Sequence, residues 1–149
     1  MLVKVECYEF ECPRCVHREW TCSAVASYRL GDRAVPAAVR PQWCDNCSKV
    51  QPVEGFARDP SVYDALLQYA QSDPQGYEES EGHTLEQLCD SMAMFSSYDA
   101  PRRCFVCREA VGRFAESEHV FHRCGQRMQI VGLSFREDQL ALEIAWPWS

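Results

Sequence analysis

The chain has 149 residues, of which 10 are Cys, and its formal net charge at pH 7 is −7. This length fits one ordinary domain or two small ones. No apolar run approaches the roughly 18 residues that a membrane-spanning helix needs. The first residues alternate like a strand and do not resemble a secretory signal, so we expect a cytoplasmic, reducing compartment. Clustered cysteines in such a compartment hold metal ions more often than they form disulfides.

The negative charge is concentrated in the middle of the sequence. Residues 1–53 contain seven Lys and Arg against six Asp and Glu, and residues 101–149 contain seven Arg against six acidic residues. Residues 54–100 contain only Arg58 against ten acidic residues. The middle segment is therefore a candidate surface for a basic partner, whereas the two cysteine-rich ends are nearly neutral.

Strand patterns precede the acidic middle. Alternating apolar and polar residues predict strands over residues 2–11 and 19–30, and Gly31-Asp32 is a turn signal after the second strand. A shorter extended piece follows at residues 35–39. We interpret residues 1–57 as a small antiparallel β module.

The acidic middle predicts two short amphipathic helices. The first occupies residues 59–73 and the second residues 84–98, with a polar loop over residues 75–83 between them. Helices this short must dock on other elements to be stable. Both helices have a start signal. The first begins with Asp59 as N-cap followed by Pro60, and the second begins with a capping box formed by Thr84 and Gln87.

Strand patterns return near the C-terminus. Residues 128–135 and 140–146 alternate, and a turn signal at residues 136–138 lies between them, which predicts a C-terminal β-hairpin. We therefore expect an α+β fold with two small zinc-ribbon-like antiparallel β modules joined by a short two-helix segment. The three parts would be consecutive along the chain: residues 1–57, 58–100 and 101–149.

Cys-x-x-Cys turns, or knuckles, are the strongest chemical signal in the sequence. Cys12 and Cys15 form the first, and Cys44 and Cys47 form the second after 28 intervening residues. Four thiolates from two knuckles suit a tetrahedral ion, and such a closed site is structural because no position stays open for water. We therefore expect these four cysteines to share one Zn²⁺.

Residues 8–56 resemble the rubredoxin-like, or zinc-ribbon, superfamily. The matching segments are Tyr8-Glu9-Phe10-Glu11-Cys12-Pro13-Arg14-Cys15 and Trp43-Cys44-Asp45-Asn46-Cys47, with Gly31-Asp32 and a proline between them. The resemblance implies that Cys12, Cys15, Cys44 and Cys47 share one ion, which in rubredoxins is an iron that carries electrons. Rubredoxins follow each knuckle with glycine. This chain has Val16 and Ser48 there, which favours zinc, with iron as the alternative.

A second set of ligands is predicted in the C-terminal part. Cys104 and Cys107 form a third knuckle, and Cys124 follows it with two histidines nearby. Three cysteines and one histidine are a common zinc site. His122 lies two residues before Cys124 and shares a strand face with it, so we expect His122 to be the fourth ligand and His119 to be the alternative. The predicted cofactors are therefore two Zn²⁺.

The remaining cysteines and histidines lack ligand spacing. Cys7, Cys22 and Cys89 each fall in an apolar pattern, which predicts buried, free thiols. His17 and His83 lie among polar residues, which predicts solvated side chains.

These patterns favour a binding protein over an enzyme. Both predicted metal sites are closed and no nucleophile–base arrangement is visible, so we expect no enzymatic activity. The favoured role is a protein-binding adaptor or an immunity-type inhibitor, with a basic protein attracted to Glu78, Glu79 and Glu81. An electron carrier and a nucleic-acid-binding zinc ribbon are the alternatives, and a membrane partner is not expected. Nucleic acid, which the acidic middle disfavours, would need a basic face from C-terminal arginines: Arg102, Arg103, Arg108, Arg113, Arg123 and Arg127.

Overall fold

The structure, a computed structural model, describes residues 2–95, 98, 100–112, 119–139 and 142–145. At residues 2, 3, 138, 139, 142, 143 and 145 it describes the backbone alone. The fold is α+β, as the sequence predicts, and the helices lie between two strand-rich parts of the chain. Leu140 and Trp146 of the expected last strand, and Arg113 of the arginine set, lie outside the described residues.

The strands form three small sheets within the described residues. In the first, β1 is the central strand and pairs antiparallel with both β2 and β7. In the second, β3 is central between β4 and β8, and β5 with β6 forms the third. The strand bounds are β1 Leu2–Cys12, β2 His17–Cys22, β3 Ala26–Leu30, β4 Arg33–Pro36, β5 Val39–Cys44, β6 Lys49–Glu54, β7 Gln129–Gln139 and β8 Leu142–Ala145.

The described residues cluster into two compact units that interleave along the chain. The cysteine-rich unit comes from segments 1–26, 38–55 and 101–142, and the helical unit comes from segments 27–37, 56–100 and 143–149. The sequence instead predicted three consecutive parts. The β3–β4 hairpin, for example, belongs to the helical unit although its sequence lies within the first expected β module.

Two strand predictions are wrong. The expected C-terminal hairpin is absent from the described residues, because residues 136–138 are part of β7, which pairs with β1, and β8 lies in another sheet. The expected strand over residues 19–30 is interrupted at residues 23–25, where the chain leaves the first sheet for the second. Alternation predicts an extended backbone, but it does not reveal which sheet a strand joins.

The helix start signals are confirmed. Helix α1 (Pro60–Ser72) begins after Asp59, whose carboxylate accepts the N–H of Ser61. Helix α3 (Leu85–Phe95) begins with a reciprocal capping box, in which the Thr84 N–H donates to Gln87 Oε1 and the Gln87 N–H donates to Thr84 Oγ1. No helix among the described residues has the length and apolar character needed to cross a membrane.

A third helix, α2 (Pro74–Glu81), occupies the stretch predicted as a polar loop, so the expectation of two helices is wrong. Asp73 ends α1 by donating its N–H to the Tyr69 carbonyl, and its carboxylate then caps α2 by accepting the Gly76 N–H. The helix ends at Gly82, which has the left-handed φ of 76° that favours glycine. The sequence shows no apolar periodicity for this helix, because Tyr77 alone forms its buried face.

Aromatic side chains form much of the core of the helical unit. Phe56 stacks on Phe95 with ring centroids 4.4 Å apart, and Tyr28 meets Phe95 edge to face at 5.5 Å. Tyr77 is fully buried, and its hydroxyl lies 2.6 Å from His83 Nε2. His83 is therefore a partner of Tyr77 rather than a solvated side chain.

We expect Tyr77→Ala to lower the free energy of unfolding by about 3–5 kcal/mol, because it removes a large aromatic ring from a closed core. Tyr77→Phe keeps the ring and loses only the hydroxyl contact, so its cost should be about 1 kcal/mol. Denaturant unfolding followed by far-UV circular dichroism measures both. Equal costs for the two variants would contradict the anchoring role of the ring.

Candidate metal centres

Two groups of four side chains bring possible metal-binding atoms together, and both belong to the cysteine-rich unit. Within each group, all four ligand atoms lie within 4.8 Å of one another, so each group could hold a metal ion. Site 1 consists of Cys12, Cys15, His122 and Cys124. Site 2 consists of Cys44, Cys47, Cys104 and Cys107.

The pairing of the knuckles predicted from the sequence is therefore wrong. Both the spacing and the resemblance to rubredoxins placed the first two knuckles on one ion. In the structure, the first knuckle joins His122 and Cys124, and the second knuckle joins the third. Each site thus combines ligands from the two ends of the sequence.

The pairing of β1 with β7 explains site 1. The two strands run antiparallel, and their register places Gln129, at the start of β7, opposite Glu11, next to Cys12. The turn before β7 is closed by hydrogen bonds from the His122 N–H to the Gln126 carbonyl and from the Gly125 N–H to the His122 carbonyl. The strand pairing therefore places this turn beside the first knuckle.

Site 2 forms because the third knuckle lies against β6. The Phe105 N–H donates to the Pro52 carbonyl and the Glu54 N–H donates to the Arg103 carbonyl, both at 3.0 Å. The fully buried carboxylate of Glu54 in turn accepts the Arg103 N–H at 2.9 Å. Site 2 therefore combines two knuckles on neighbouring chain segments, and the partner of the second knuckle is the third rather than the first.

The distances between ligand atoms suit a shared tetrahedral ion. The Sγ atoms of Cys12 and Cys124 lie 3.6 Å apart, as do those of Cys44 and Cys107. A tetrahedron with zinc–sulfur bonds of 2.3 Å has edges of about 3.8 Å, whereas a disulfide bond is about 2.05 Å. In site 1, His122 directs Nδ1 toward Cys124 Sγ at 3.4 Å.

Apolar packing surrounds both sites. Cys12 packs in a cluster with Phe10, Trp43, Val50, Val120 and Met128, and Cys44 and Cys104 pack with Val53 and Val111. Site 1 is the more open of the two, because Cys15 is exposed whereas no ligand of site 2 is. A closed, largely apolar setting with four soft donors is typical of structural metal sites.

Burial and hydrogen bonds shift the pKa values of several thiols in the two sites. Burial raises the pKa of Cys44 to about 12, and a hydrogen bond with Cys124 raises the pKa of Cys15 to about 11. The pKa of Cys124 falls to about 6, because the Gln126 N–H and then His122 donate hydrogen bonds to its thiolate. Several thiolates this close together repel one another, and a bound cation would remove that repulsion.

A left-handed residue follows the last ligand of every knuckle and of the His122 turn. The φ angles are 57° at Val16, 53° at Ser48, 66° at Arg108 and 87° at Gly125. The Val16 N–H closes the first turn on the Cys12 carbonyl at 2.8 Å. Rubredoxins have glycine after each knuckle, yet here the backbone adopts the required conformation without it. Val16 and Ser48 therefore do not distinguish zinc from iron.

The other predicted residues lie elsewhere. His119 belongs to neither site, and its carbonyl oxygen accepts a hydrogen bond from the Gln42 side chain. Cys7 and Cys22, predicted as free thiols, are directly opposite in the β1–β2 ladder and form a disulfide. Cys89, predicted as buried, is exposed. Sequence reasoning missed the disulfide because it depends on the strand register.

The acidic and basic candidates also differ in exposure. Glu78, Glu79 and Glu81 are all exposed on α2. Among the described residues of the arginine set, Arg102 is buried at 5% exposure and Arg103 is partly buried. The other three are exposed: Arg108, Arg123 and Arg127.

The fold and the two sites define a small α+β protein with two clusters that could hold metal ions. No family model, curated protein or solved structure matches the chain.

Double substitutions test the grouping of the ligands. Cys12→Ser with Cys124→Ser breaks only site 1, so one metal ion per chain should remain. Cys12→Ser with Cys44→Ser breaks both sites, so none should remain. Elemental analysis of the purified variants measures the content. If the first two knuckles shared one ion, the variant with Cys12 and Cys124 replaced would retain no ion and the variant with Cys12 and Cys44 replaced would retain one. That result would contradict the structure.

We expect Val16→Gly to raise the free energy of unfolding by about 1 kcal/mol. Left-handed backbone costs a non-glycine residue about 1–2 kcal/mol, and glycine relieves this at some cost in unfolded-chain entropy. Val16 is 78% exposed, so little packing is lost. Val25→Gly is the matched control, because Val25 is also exposed but does not have a left-handed φ, and it should destabilise the protein. Denaturant unfolding of the metal-loaded variants measures their free energies of unfolding. A lower value for Val16→Gly than for the wild type would show that Val16 is not strained.

Proposed function

We propose that the protein binds two structural Zn²⁺ ions and acts through its acidic helical unit as an adaptor or immunity-type inhibitor of a basic protein. The observation that carries the proposal is the pair of closed four-ligand clusters, each joining segments far apart in the sequence. The cysteine-rich unit would be held together by metal, and the helical unit would bind the partner.

The donor set supports zinc. Sites with four cysteines, or with three cysteines and one histidine, are common structural zinc sites, and both types are tetrahedral. The four thiolates of site 2 would also suit the single iron of a rubredoxin. Site 1 suits it less, because one of its four ligands is a histidine. Zinc accounts for both sites with one kind of ion.

The composition of the cysteine-rich unit supports a structural role for the metal. Its described part is built from three separate segments and two small sheets. Each site joins possible ligands from different segments of this unit, so a bound ion would hold those segments together. The free energy of metal binding would therefore contribute directly to folding.

The charge distribution supports a basic partner for the helical unit. Its segments contain three Arg against 11 Asp and Glu, whereas the segments of the cysteine-rich unit contain 12 Lys and Arg against 11 acidic residues. The net charge is therefore −8 in the helical unit and +1 in the cysteine-rich unit, so the net negative charge of the protein comes from the helical unit. A charged surface of this kind accelerates association with an oppositely charged protein and repels nucleic acid.

We expect the purified protein to contain two zinc ions per chain and to be colourless. Zn²⁺ has a filled d shell, whereas iron bound to four thiolates absorbs visible light. Elemental analysis and an absorption spectrum measure both properties. Iron at site 2 with a red-brown colour would contradict the zinc assignment and favour electron transfer.

Reversing the charge of the exposed α2 glutamates tests the partner surface. We expect Glu78→Lys, Glu79→Lys and Glu81→Lys together to abolish capture of the partner from a lysate of the native host. With the partner identified by mass spectrometry, the variant should also associate more slowly and with a weaker dependence on salt.

The matched control reverses two exposed glutamates of the cysteine-rich unit, Glu109→Lys and Glu137→Lys. This control should keep the partner. Loss of capture in the control alone would place the binding surface on the other unit. Micromolar binding of nucleic acid by the wild-type protein at physiological salt would favour the nucleic-acid alternative instead.

A further inference from the structure

Two aromatic side chains enclose the imidazole of His122, the histidine ligand of site 1. The His17 ring stacks on it with centroids 5.2 Å apart and planes inclined by 19°. The Trp43 ring meets His122 edge to face at 4.9 Å and meets His17 in the same way at 6.3 Å. Both geometries are favourable for aromatic pairs.

The strand register places His17 at this position. His17 is the first residue of β2 and lies directly opposite Cys12, another ligand of site 1, in the β1–β2 ladder. His17 is therefore next to Cys12 in the strand ladder, and its ring stacks on His122. The sequence predicted a solvated His17, because its neighbours in the chain are polar and its neighbours in space could not be known.

Glu19 fixes the orientation of the His17 ring. Its Oε2 atom lies 2.5 Å from His17 Nε2, and its Oε1 atom accepts the N–H of Val50 in β6. A carboxylate accepts hydrogen bonds, so His17 Nε2 is the donor. Only 11% of the Glu19 side chain is exposed. The backbone of β6 thus holds Glu19, and Glu19 holds His17.

We propose that His17 and Glu19 are positioning residues for the metal ion of site 1. Glu19 orients His17, and His17 together with Trp43 keeps the His122 imidazole turned so that Nδ1 faces Cys124. Residues outside the ligand set commonly orient metal-binding histidines. His17 does so here through a ring contact, and an aromatic contact of this kind is worth about 2–10-fold in an equilibrium constant. Site 2 has four cysteine ligands and no imidazole to orient, so it should not respond.

This inference rests on the proposed metal occupancy, and metal competition on the full-length protein separates the two. The zinc-loaded chain is titrated with a chromogenic chelator, and the Co²⁺-loaded chain is examined by its visible d–d absorption. We expect His17→Ala to lower the affinity of the protein for one of the two ions by about 2–10-fold and to shift the cobalt spectrum. His17→Phe keeps the ring stack without the Glu19 contact and should lose less affinity. Glu19→Gln should lower the metal affinity by a similar amount to His17→Phe.

The controls distinguish positioning from packing. His83→Ala removes a histidine with a hydrogen-bond partner in the helical unit and should leave both ions unchanged. His122→Ala is the reference for complete loss of the site 1 ion. A His17→Ala protein with wild-type affinities and spectrum overturns the inference alone. An equal loss of affinity for both ions together with a lowered melting temperature also overturns it, because that result indicates a general loss of packing. Wild-type protein without bound metal overturns the proposed function as well.

Discussion

The antiparallel pairing of β1 with β7 is the contact on which site 1 depends. It brings the first knuckle together with a turn more than 100 residues further along the chain. Closing so long a loop costs conformational entropy, which other interactions must offset. Strand β7 buries little of its own apolar surface, since Ile130 is 60% exposed and Leu133 is 58% exposed. The backbone ladder and the packing of Val120 and Met128 against Phe10 therefore supply much of the stabilisation, and a metal ion at site 1 would add to it.

Site 2 closes a different loop. Cys47 and Cys104 are separated by 56 residues, and that stretch contains all three described helices. Their sulfur atoms lie within 4.8 Å of each other. The chain leaves the cysteine-rich unit after Gly55 and returns to it at Pro101, within a few residues of the two knuckles of site 2. An ion at site 2 would hold both ends of the helical segment, so the same ion that staples one unit would also restrict the unfolded states of the other.

What the sequence predicted well was local. The strand over residues 2–11, the Asp59 cap and the Thr84–Gln87 capping box are set by neighbouring residues, and the structure has all three. What it predicted poorly depends on contacts between distant segments. The grouping of the knuckles, the disulfide of Cys7 with Cys22 and the position of His17 all follow from strand register. Helix α2 is an intermediate case, since Asp73 and Pro74 are a helix start signal, but Asp73 also falls at the end of the first predicted helix.

A Cys-x-x-Cys knuckle is a local unit whose shape does not determine its partner. In all three knuckles the residue after the second cysteine is left-handed, although those residues are as different as Val16, Ser48 and Arg108. The turn thus forms without glycine at this position. A resemblance based on knuckles can therefore point to candidate ligand residues while grouping them wrongly. The sheet decides which knuckles meet, because β1 carries the first knuckle to the start of β7, and β6 pairs the second with the third.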